Sequence, residues 1–536
     1  MVVASLAMLA TAPVAGNFWW QDAPRHALNG VFLRDFITAM PLHDARAWAV
    51  SYYLRYPSLT ILFYPPLFYV VEAAMFALFG FSHFVAQASV TLFMPLGMVG
   101  AYKFSRLMLG RAASLAVALL VLGGPEAAFW GRQVMLDIPS GAALMAGMAC
   151  FAQFLLRGRG RDCLFAVPLL LAAIYLKLNA VFVIPVLAVA LIATFGPRVL
   201  LRPAVLAALA IGAVGMLPAL WLTLHFGMTN MQSVEGRPGD MAADTLNAWL
   251  FYGRLLPRDV GWVAALLAIP GAVLLWRRAI VPRPIAVLLT TWFVIDYAFL
   301  SVIGVREPRH GLMLVFPLAF CAMLALREGI RRVPGIRTGW AVGGAAMGLG
   351  AATLLYSLFL YPPPVIDGYA KVADWVAAHA PPDAVVVFAG YRDGNFVFNM
   401  RTHPDRGDIA TVRADKLLLR VAVERKRGVG QRDLDQAAIL TLMKRLGVAL
   451  VVVQPDFWDD LREMRRFYAV LHTSDFTPVA RFPITGDVGI HNSAGHPDNL
   501  IEIYRPTYKV TPPRGVLDLA MPIIGEHFTG AVPSSR

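Results

Sequence analysis

The chain has 536 residues, of which 58% are hydrophobic and 15% charged, and its net charge is +13. Its mean hydropathy of +0.60 excludes an ordinary soluble globular protein. Apolar stretches of roughly 17 to 25 residues recur as far as residue 361, and each is long enough to cross the bilayer as a helix. The sequence therefore predicts a polytopic α-helical membrane protein.

The excess positive charge lies in short gaps between the apolar segments. These gaps contain Arg157, Arg159 and Arg161; Arg198 and Arg202; Arg277, Arg278 and Arg283; and Arg327, Arg331, Arg332 and Arg337. Because basic residues collect in cytoplasmic loops, we place these gaps inside the cell and expect no nucleic-acid partner. The natural location is then the inner (plasma) membrane of a bacterium.

The first apolar segment and the cysteines allow two simple interpretations. Residues 1–16 are predicted to be the first span; a cleaved signal peptide is the alternative, although a basic region before the apolar run is missing.

The three cysteines, Cys150, Cys163 and Cys321, lie in or beside apolar segments, which indicates neither a disulfide framework nor a zinc site. No cofactor is indicated, and a divalent metal is left open.

The topology follows from the number of apolar segments that cross the membrane between positions assigned to its inner and outer sides. If the basic gaps are inside, then Asp22, Asp137, Arg306 to His310 and everything after about residue 361 are outside. Three apolar segments, 63–82, 84–107 and 112–130, separate two outer ends, so an even number of them can cross. Lys103, Arg106 and Arg111 favour a cytoplasmic turn between the last two. We therefore predict that segment 63–82 lies in the interface as an amphipathic helix, and that about eleven spans cross, with thirteen as the alternative.

Polar residues gather on this outer face. They are Asp22, Arg25 and His26; Arg55 and Tyr64 of the first loop (residues 17–62) and its end; Arg132 and Asp137; and Arg306, Glu307, Arg309 and His310. Lys177 joins them, because the apolar run before it has 14 residues and rises only about 20 Å. That length places Lys177 at the depth of lipid phosphates, where it needs an anionic partner.

Carboxylates and cations that converge beside a bilayer favour one chemistry. A carboxylate takes a proton from an attacking hydroxyl, while cations stabilise the charge on a leaving phosphate. Outside the cell an activated sugar arrives on a lipid phosphate. We predict that Asp22 is the general base, that the displacement inverts the anomeric centre, and that the first loop covers the sugar.

Each of these residues also has a purely structural interpretation. On this interpretation, Asp22 and Arg25 form a helix-start pair and Asp137 caps a helix. Lys177 would extend to the interface, Tyr64 would belong to an aromatic belt, and Arg309 with His310 would anchor the chain at the interface.

Five short motifs in a fixed order resemble the GT-C membrane glycosyltransferases, in the branch of the protein O-mannosyltransferases and the lipid A aminoarabinose transferases. They are DAPRHA, YPPLFYVVEAAMFALFG, QVMLDIPSG, YLKLNAVFVIPVLAV and REPRHGLMLVFPLAF, within residues 1–330. The resemblance implies a GT-C fold, a polyprenyl-phosphate sugar donor, and a glycan, lipid or protein acceptor.

The resemblance also implies roles for single residues. Asp22 matches the first-loop aspartate, Asp137 the second acidic position, Lys177 a lysine usually followed by Gly, and Arg309 with His310 an Arg-Tyr pair. Two positions depart from the family. Ala23 stands where many relatives have Glu, which puts metal binding in doubt. Tyr64 stands where the aminoarabinose enzymes have a phosphate-binding Lys, so Arg55 or Lys177 takes over its role or the donor is held differently.

The segment 362–536 is predicted to be an extracytoplasmic soluble α/β domain, separate from the membrane domain 1–361. A helix begins near residue 366, AVVVFAG and VALVVVQ read as buried strands joined through a helix around 433–446, and ARFPI and NLIEIYRP read as later strands. AGYRDGNF lacks the spacing of a phosphate loop. Arg420, Glu424, Arg425, Lys426 and Arg427 are predicted to form a basic surface loop.

A transporter or flippase of lipid-linked sugars is the alternative function, because Asp296 lies inside an apolar span and such a carboxylate is a functional candidate by default. Two observations count against it: matched broken helices are missing from the two halves, and transport does not explain the C-terminal domain. A receptor-like scaffold is a third class, and it leaves the convergence of charges unexplained.

Overall fold

The computed structural model describes residues 1–227, 232, 235, 236, 239–334, 338–422, 425–486 and 500–532. Two residues of the predicted basic loops, Arg337 and Glu424, lie outside the described residues.

In the described part of residues 1–359, the regular secondary structure consists of helices joined by loops. The α-helices are α1 (Val2–Ala10), α2 (Ala23–Ala39), α3 (Ala45–Arg55), α4 (Leu67–Phe79), α5 (His83–Thr91), α6 (Phe93–Ser105), α7 (Arg111–Gly123), α8 (Pro125–Gly131), α9 (Asp137–Arg157), α10 (Gly160–Leu176), α11 (Val183–Phe195), α12 (Pro203–Phe226), α13 (Leu246–Val260), α14 (Trp262–Leu275), α15 (Arg283–Val302), α16 (Val315–Ile330) and α17 (Thr338–Phe359). Short 3₁₀ helices occupy Leu178–Phe182, Pro197–Leu201 and Pro308–Leu314.

Among the described residues, seven helices are long and apolar enough to cross a membrane, and nine if two bent pairs each count as one span. The bent pairs are α7 with α8, at 56°, and α13 with α14, at 113°. The two further spans of the predicted eleven fall on α1 and α10, which have 9 and 17 residues. Helix α4 has 13 residues and is a shorter apolar helix, and the placement of segment 63–82 in the interface stays a prediction.

The rest of the chain is a strand-containing domain. Its strands are β1 (Ile366–Asp367), β2 (Val385–Ala389), β3 (Ala410–Arg413), β4 (Leu419–Val421), β5 (Val429–Gln431), β6 (Val448–Val453), β7 (Phe476–Pro483), β8 (Thr485–Gly486), β9 (Leu500–Pro506), β10 (Val516–Met521) and β11 (Glu526–Ala531). Its α-helices are α18 (Tyr369–His379), α19 (Asp393–Thr402), α20 (Ala414–Leu418), α21 (Gln436–Arg445) and α22 (Arg462–Leu471).

Five strands form the central sheet, in the order β3-β2-β6-β9-β7. Strand β2 pairs in parallel with both β3 and β6. Strand β9 pairs antiparallel with both β6 and β7. Every residue of β2 and β6 is buried, as expected for Val-rich strands that are covered on both faces. The predicted parallel pair of the α/β domain is thus present.

The first loop is not a separate lid, because it shares hydrophobic cores with the C-terminal domain. Leu28 and Phe32 of α2 and Tyr53 of α3 belong to the same buried cluster as Val387 and Val451 of the sheet. A second cluster on the other face of the sheet includes Trp19. The chain on both sides of Asp22 is therefore packed against the C-terminal domain.

Candidate functional site

Asp22 is the residue that precedes α2, and Pro24 in the first turn of that helix favours its start. The Asp22 carboxylate does not cap the helix; instead it accepts a hydrogen bond from Trp20 Nε1 at 3.2 Å. Its side chain is 39% exposed. Asp22 is thus held at the surface of the site and remains open to a substrate.

Arg309 lies in the 3₁₀ helix Pro308–Leu314, immediately before α16, and connects two carboxylates. Its Nη2 atom is 3.3 Å from Asp22 Oδ2 and 2.5 Å from Glu307 Oε2. The guanidinium carbon lies over the rings of Trp20 and Trp130, at 5.4 and 5.3 Å from their centroids. Aromatic faces stabilise a cation at these distances, so Arg309 has a fixed position beside Asp22.

Lys177 and Asp137 form a buried ion pair. Lys177 occupies the break between α10 and the 3₁₀ helix Leu178–Phe182, with an extended backbone. Asp137 begins α9, and its Oδ1 atom is 2.5 Å from Lys177 Nζ. Both residues are 5% exposed, so each charge depends on the other to offset the cost of its burial.

The two ion pairs belong to one electrostatic cluster, since the charges of Lys177, Asp137 and Arg309 all act on His26. Burial raises the pKa of Asp22, but the charge of Arg309, with smaller contributions from His26 and Arg25, outweighs burial and lowers that pKa to about 2. Asp22 is therefore an ionised carboxylate throughout the physiological range.

His26 and Tyr64 lie beside this cluster as neutral groups. Burial lowers the pKa of His26 to about 4, although the charge of Asp22 opposes it, so the imidazole is neutral at pH 7. Its Nδ1 atom is 2.9 Å from Tyr69 Oη, and its ring centroid is 5.5 Å from that of Tyr64. Burial raises the pKa of the Tyr64 hydroxyl, which also remains neutral. Neither residue supplies positive charge to the site.

Arg132 and Arg55 bind backbone carbonyls in the structure, and their assignment as phosphate ligands stays a prediction. Arg132 donates to four backbone carbonyls, those of Ala128, Ser357, Leu358 and Tyr361, at 2.7 to 3.1 Å. It thus connects α8 to the end of α17. Arg55 donates to the carbonyl of Asp408 in the C-terminal domain. These hydrogen bonds of both side chains thus go to the backbone and hold parts of the fold together.

Arg25, His310 and Asp296 complete the predicted set. Arg25 contributes to the potential at Asp22, but its Nη2 atom binds Asp393 of the C-terminal domain at 3.0 Å. His310 follows Arg309 in the same 3₁₀ helix and is half-buried. Asp296 is 1% exposed in α15 and makes no ion pair within the described ranges.

Two tryptophans were missed by the sequence reasoning. Trp20 and Trp130 enclose Arg309, and Trp130 Nε1 donates to Glu126 Oε1 at 2.7 Å. Aromatic residues are common at membrane interfaces, so nothing in the sequence distinguishes these two. In the part of the chain that the structure describes, no three His, Cys, Asp or Glu side chains form a group that could hold a metal ion.

Comparisons with known proteins bear on the family and the fold. The family described as Dolichyl-phosphate-mannose-protein mannosyltransferase matches residues 64–222. The crystal structure of ArnT from Cupriavidus metallidurans bound to undecaprenyl phosphate is similar, with a TM-score of 0.62 over 94% of this chain and 96% of ArnT, at 14% identity. The chain has the GT-C fold. The predicted resemblance and the fold class are thereby confirmed.

A more distant GT-C structure has the same fold. The oligosaccharyltransferase AglB from Archaeoglobus fulgidus, in complex with an inhibitory peptide and a dolichol-phosphate, has a TM-score of 0.51 at 11% identity and covers 88% of this chain and 70% of AglB. No curated protein sequence matches the chain.

Proposed function

We propose that the protein is a glycosyltransferase that moves a sugar from a polyprenyl-phosphate donor to an acceptor hydroxyl on the outer face of the membrane. The observation that carries the proposal is the cluster of Asp22, Arg309 and Lys177, in a fold whose similar structures were solved with undecaprenyl phosphate and dolichol-phosphate. An ionised carboxylate and two fixed cations lie side by side, as displacement of a phosphate requires.

The proposed reaction is a single displacement. The acceptor oxygen attacks the anomeric carbon, its proton passes to the Asp22 carboxylate, and the bond from the anomeric carbon to the phosphate oxygen breaks. The lipid phosphate leaves with the electron pair of that bond, and attack from the opposite face inverts the anomeric centre. Arg309 and Lys177 stabilise the charge that develops on the leaving oxygen.

Before the donor binds, three carboxylates form ion pairs with the two cations. Arg309 is shared between Asp22 and Glu307, and Lys177 is paired with Asp137. A donor phosphate competes for the same cations. The Arg309 contact with Asp22, at 3.3 Å, is longer than the one with Glu307, at 2.5 Å. We expect the phosphate to replace Asp22 on Arg309, which frees that carboxylate to act as the base.

The proposed placement follows from charge and contact. The basic gaps define the cytoplasmic side, so the C-terminal domain, which contacts the chain around Asp22, lies on the opposite side, in the periplasm of a bacterium. Domains 1–361 and 362–536 are then a membrane transferase domain and an extracytoplasmic domain.

The experiment is transfer from a panel of radiolabelled polyprenyl-phosphate sugars into cell-envelope fractions. The variant is Asp22→Asn. Its matched control is Asp44→Asn, because Asp44 also precedes a helix of the first loop and is exposed without capping that helix. Label incorporated by the wild type and Asp44→Asn, but not by Asp22→Asn, supports the proposal and identifies the sugar. Equal incorporation by all three overturns the role of Asp22, and no incorporation from any donor overturns the transferase.

A further inference from the structure

The motif AGYRDGNF lies where α/β proteins commonly bind ligands, beyond the carboxyl ends of parallel strands and next to the point where the strand order reverses. In this domain that position is filled by protein. Gln454, which follows β6, accepts a hydrogen bond from the backbone N–H of Tyr391 at 2.6 Å. The residues that follow Tyr391 then extend to the membrane domain and contact the chain on both sides of Asp22.

On the N-terminal side of Asp22, three side chains hold the backbone. Asn395 Oδ1 accepts from Phe18 N at 2.6 Å, and its Nδ2 donates to Phe18 O at 2.8 Å. Asn399 Nδ2 donates to Gly16 O at 2.9 Å. Arg392 donates to the carbonyl of Trp19. Because Asn395 engages both backbone polar groups of Phe18, which belong to successive peptide units, it fixes the orientation of that backbone as well as its distance.

On the C-terminal side, the anchor is Asp393. Its carboxylate accepts from Arg25 at 3.0 Å, from Ser58 Oγ at 2.5 Å and from Arg413 at 2.6 Å, and it is only 4% exposed. Arg25 lies three residues after Asp22, in the first turn of α2. The carboxylate therefore holds the start of that helix against the C-terminal domain through charge-assisted hydrogen bonds, which are the stronger kind.

The fit between the two surfaces is close at Gly394. A Cβ added at this position would be 2.8 Å from Pro24 Cγ and 3.4 Å from Arg25 Cγ. Only a residue without a side chain allows Pro24 to approach this far. Residues 16–25, which we call the Asp22 loop, are thus in contact with residues 391–399, which we call the clamp segment.

We propose that the clamp segment positions Asp22 for proton transfer, with Asn395 and Asp393 as the positioning residues. The inference rests on the proposed role of Asp22 as the base. Trp20 and Arg309 contact the Asp22 carboxylate, which makes no capping bond to its own helix. The backbone of Asp22 is set by the residues before it and by the first turn after it, and the clamp segment holds both. A misplacement of about 1 Å in a reacting group costs on the order of 100-fold in rate.

A positioning role predicts a specific kinetic pattern. The side-chain bonds of Asn395 and Asp393 go to Phe18, Arg25, Ser58 and Arg413. Because neither Arg309 nor Lys177 is among these partners, loss of the two side chains is expected to leave KM for the donor within about twofold. The kcat for transfer falls by about 10- to 100-fold, because the base is no longer held in a reactive geometry. Loss of the fold would instead lower the amount of active protein and its melting temperature together.

The experiment compares three full-chain variants with a matched control. Asn395→Ala removes the bonds to Phe18, Asp393→Asn removes the ion pairs with Arg25 and Arg413, and Gly394→Ala crowds Pro24 while every hydrogen-bonding side chain is retained. The control is Glu502→Gln. It also neutralises a buried carboxylate of the same domain, but one that binds Arg481 and Tyr504 within that domain.

Two measurements are made on each variant. Hydrogen exchange followed by mass spectrometry is expected to show faster exchange in residues 16–30 for the three clamp variants and unchanged exchange there for Glu502→Gln. If all three clamp variants exchange hydrogen in residues 16–30 at the same rate as the wild type, the inference is overturned, whatever their activity. If the wild type transfers no sugar at all, the proposed function fails on its own, while exchange still tests the clamp.

Kinetics supply the second measurement. Combining Asn395→Ala with Asp22→Asn is expected to lower the residual rate no further than Asp22→Asn alone, because a residue that acts only through Asp22 has no effect once the carboxylate is gone. Full additivity of the two substitutions would contradict the positioning role, and so would a wild-type kcat in Asn395→Ala and Gly394→Ala.

Discussion

Removing the charge of Arg309 gives the sharpest test of how the site is arranged. In Arg309→Gln the Asp22 carboxylate loses a partner at 3.3 Å and Glu307 loses its ion pair at 2.5 Å. The donor phosphate loses one of its two proposed cations. Removing one preorganised electrostatic partner of a developing anion costs about 3 to 4 kcal/mol, so we expect kcat/KM to fall by about 100- to 1000-fold.

The same substitution changes the pH dependence in a defined direction. In the wild type burial raises the pKa of Asp22, but Arg309, His26 and Arg25 together outweigh burial and hold that pKa near 2, so the carboxylate is ionised at every pH of the assay. Without Arg309, burial is less opposed and this pKa rises. Because the base acts in its ionised form, the acidic limb of the kcat/KM profile moves to higher pH.

The assay is kcat/KM from pH 4 to 8 with one polyprenyl-phosphate sugar, for the wild type, Arg309→Gln and Arg309→Lys. Lysine keeps the charge but not the planar fork that contacts two carboxylates between two indole rings. We therefore expect an intermediate rate and a smaller shift of the acidic limb. A loss below about tenfold in Arg309→Gln, or an acidic limb that coincides with that of the wild type, would refute the reasoning.

Three further predictions concern buried carboxylates. Lys177→Met leaves Asp137 buried without its ion pair and is expected to cost about 3 to 5 kcal/mol of stability; adding Asp137→Asn should recover most of the lost melting temperature but no transfer activity. Burial raises the pKa of Asp393, but Arg413 and Arg25 lower it further, from 3.8 to about 2. The stability gained, about 2 kcal/mol, is present above pH 3.8 and lost as the pH falls through 2, so Asp393→Asn should flatten the melting-temperature curve between about pH 4 and 2. Asp296→Asn should leave transfer and lipid-sugar movement unchanged; a loss of movement alone would favour the transporter hypothesis.

The elements that the sequence predicts well are those whose pattern is local. The buried strand near residue 385 and the one near 448 are observed as β2 and β6, and the helix between 433 and 446 is α21. A short Val-rich run between polar turns is sufficient to indicate a strand that is covered on both faces. Helix α19 was missed, because its sequence begins DGN and carries no clear apolar period.

The site is predictable only where its partners are local or follow the family motifs. Asp22, Asp137, Lys177 and Arg309 lie together as expected, because each ends or begins a helix on the same side of the bundle. Arg55 and Arg132 look equally suitable in the sequence. Their partners in the structure are backbone carbonyls of Asp408 and of residues near 358, and nothing in the composition of a loop shows which distant carbonyl an arginine will reach.

The cores that the first loop shares with the C-terminal domain have a consequence for biogenesis. Leu28, Phe32 and Tyr53 complete a cluster whose other members, such as Val387 and Val451, are synthesised more than 300 residues later. At the usual pace of translation that delay is on the order of a minute. During that time Leu28, Phe32 and Tyr53 lack the C-terminal partners of this cluster. The loop that carries Asp22 thus becomes ordered last, when the final third of the chain has emerged, so an incomplete chain can insert its early helices and still lack an assembled site.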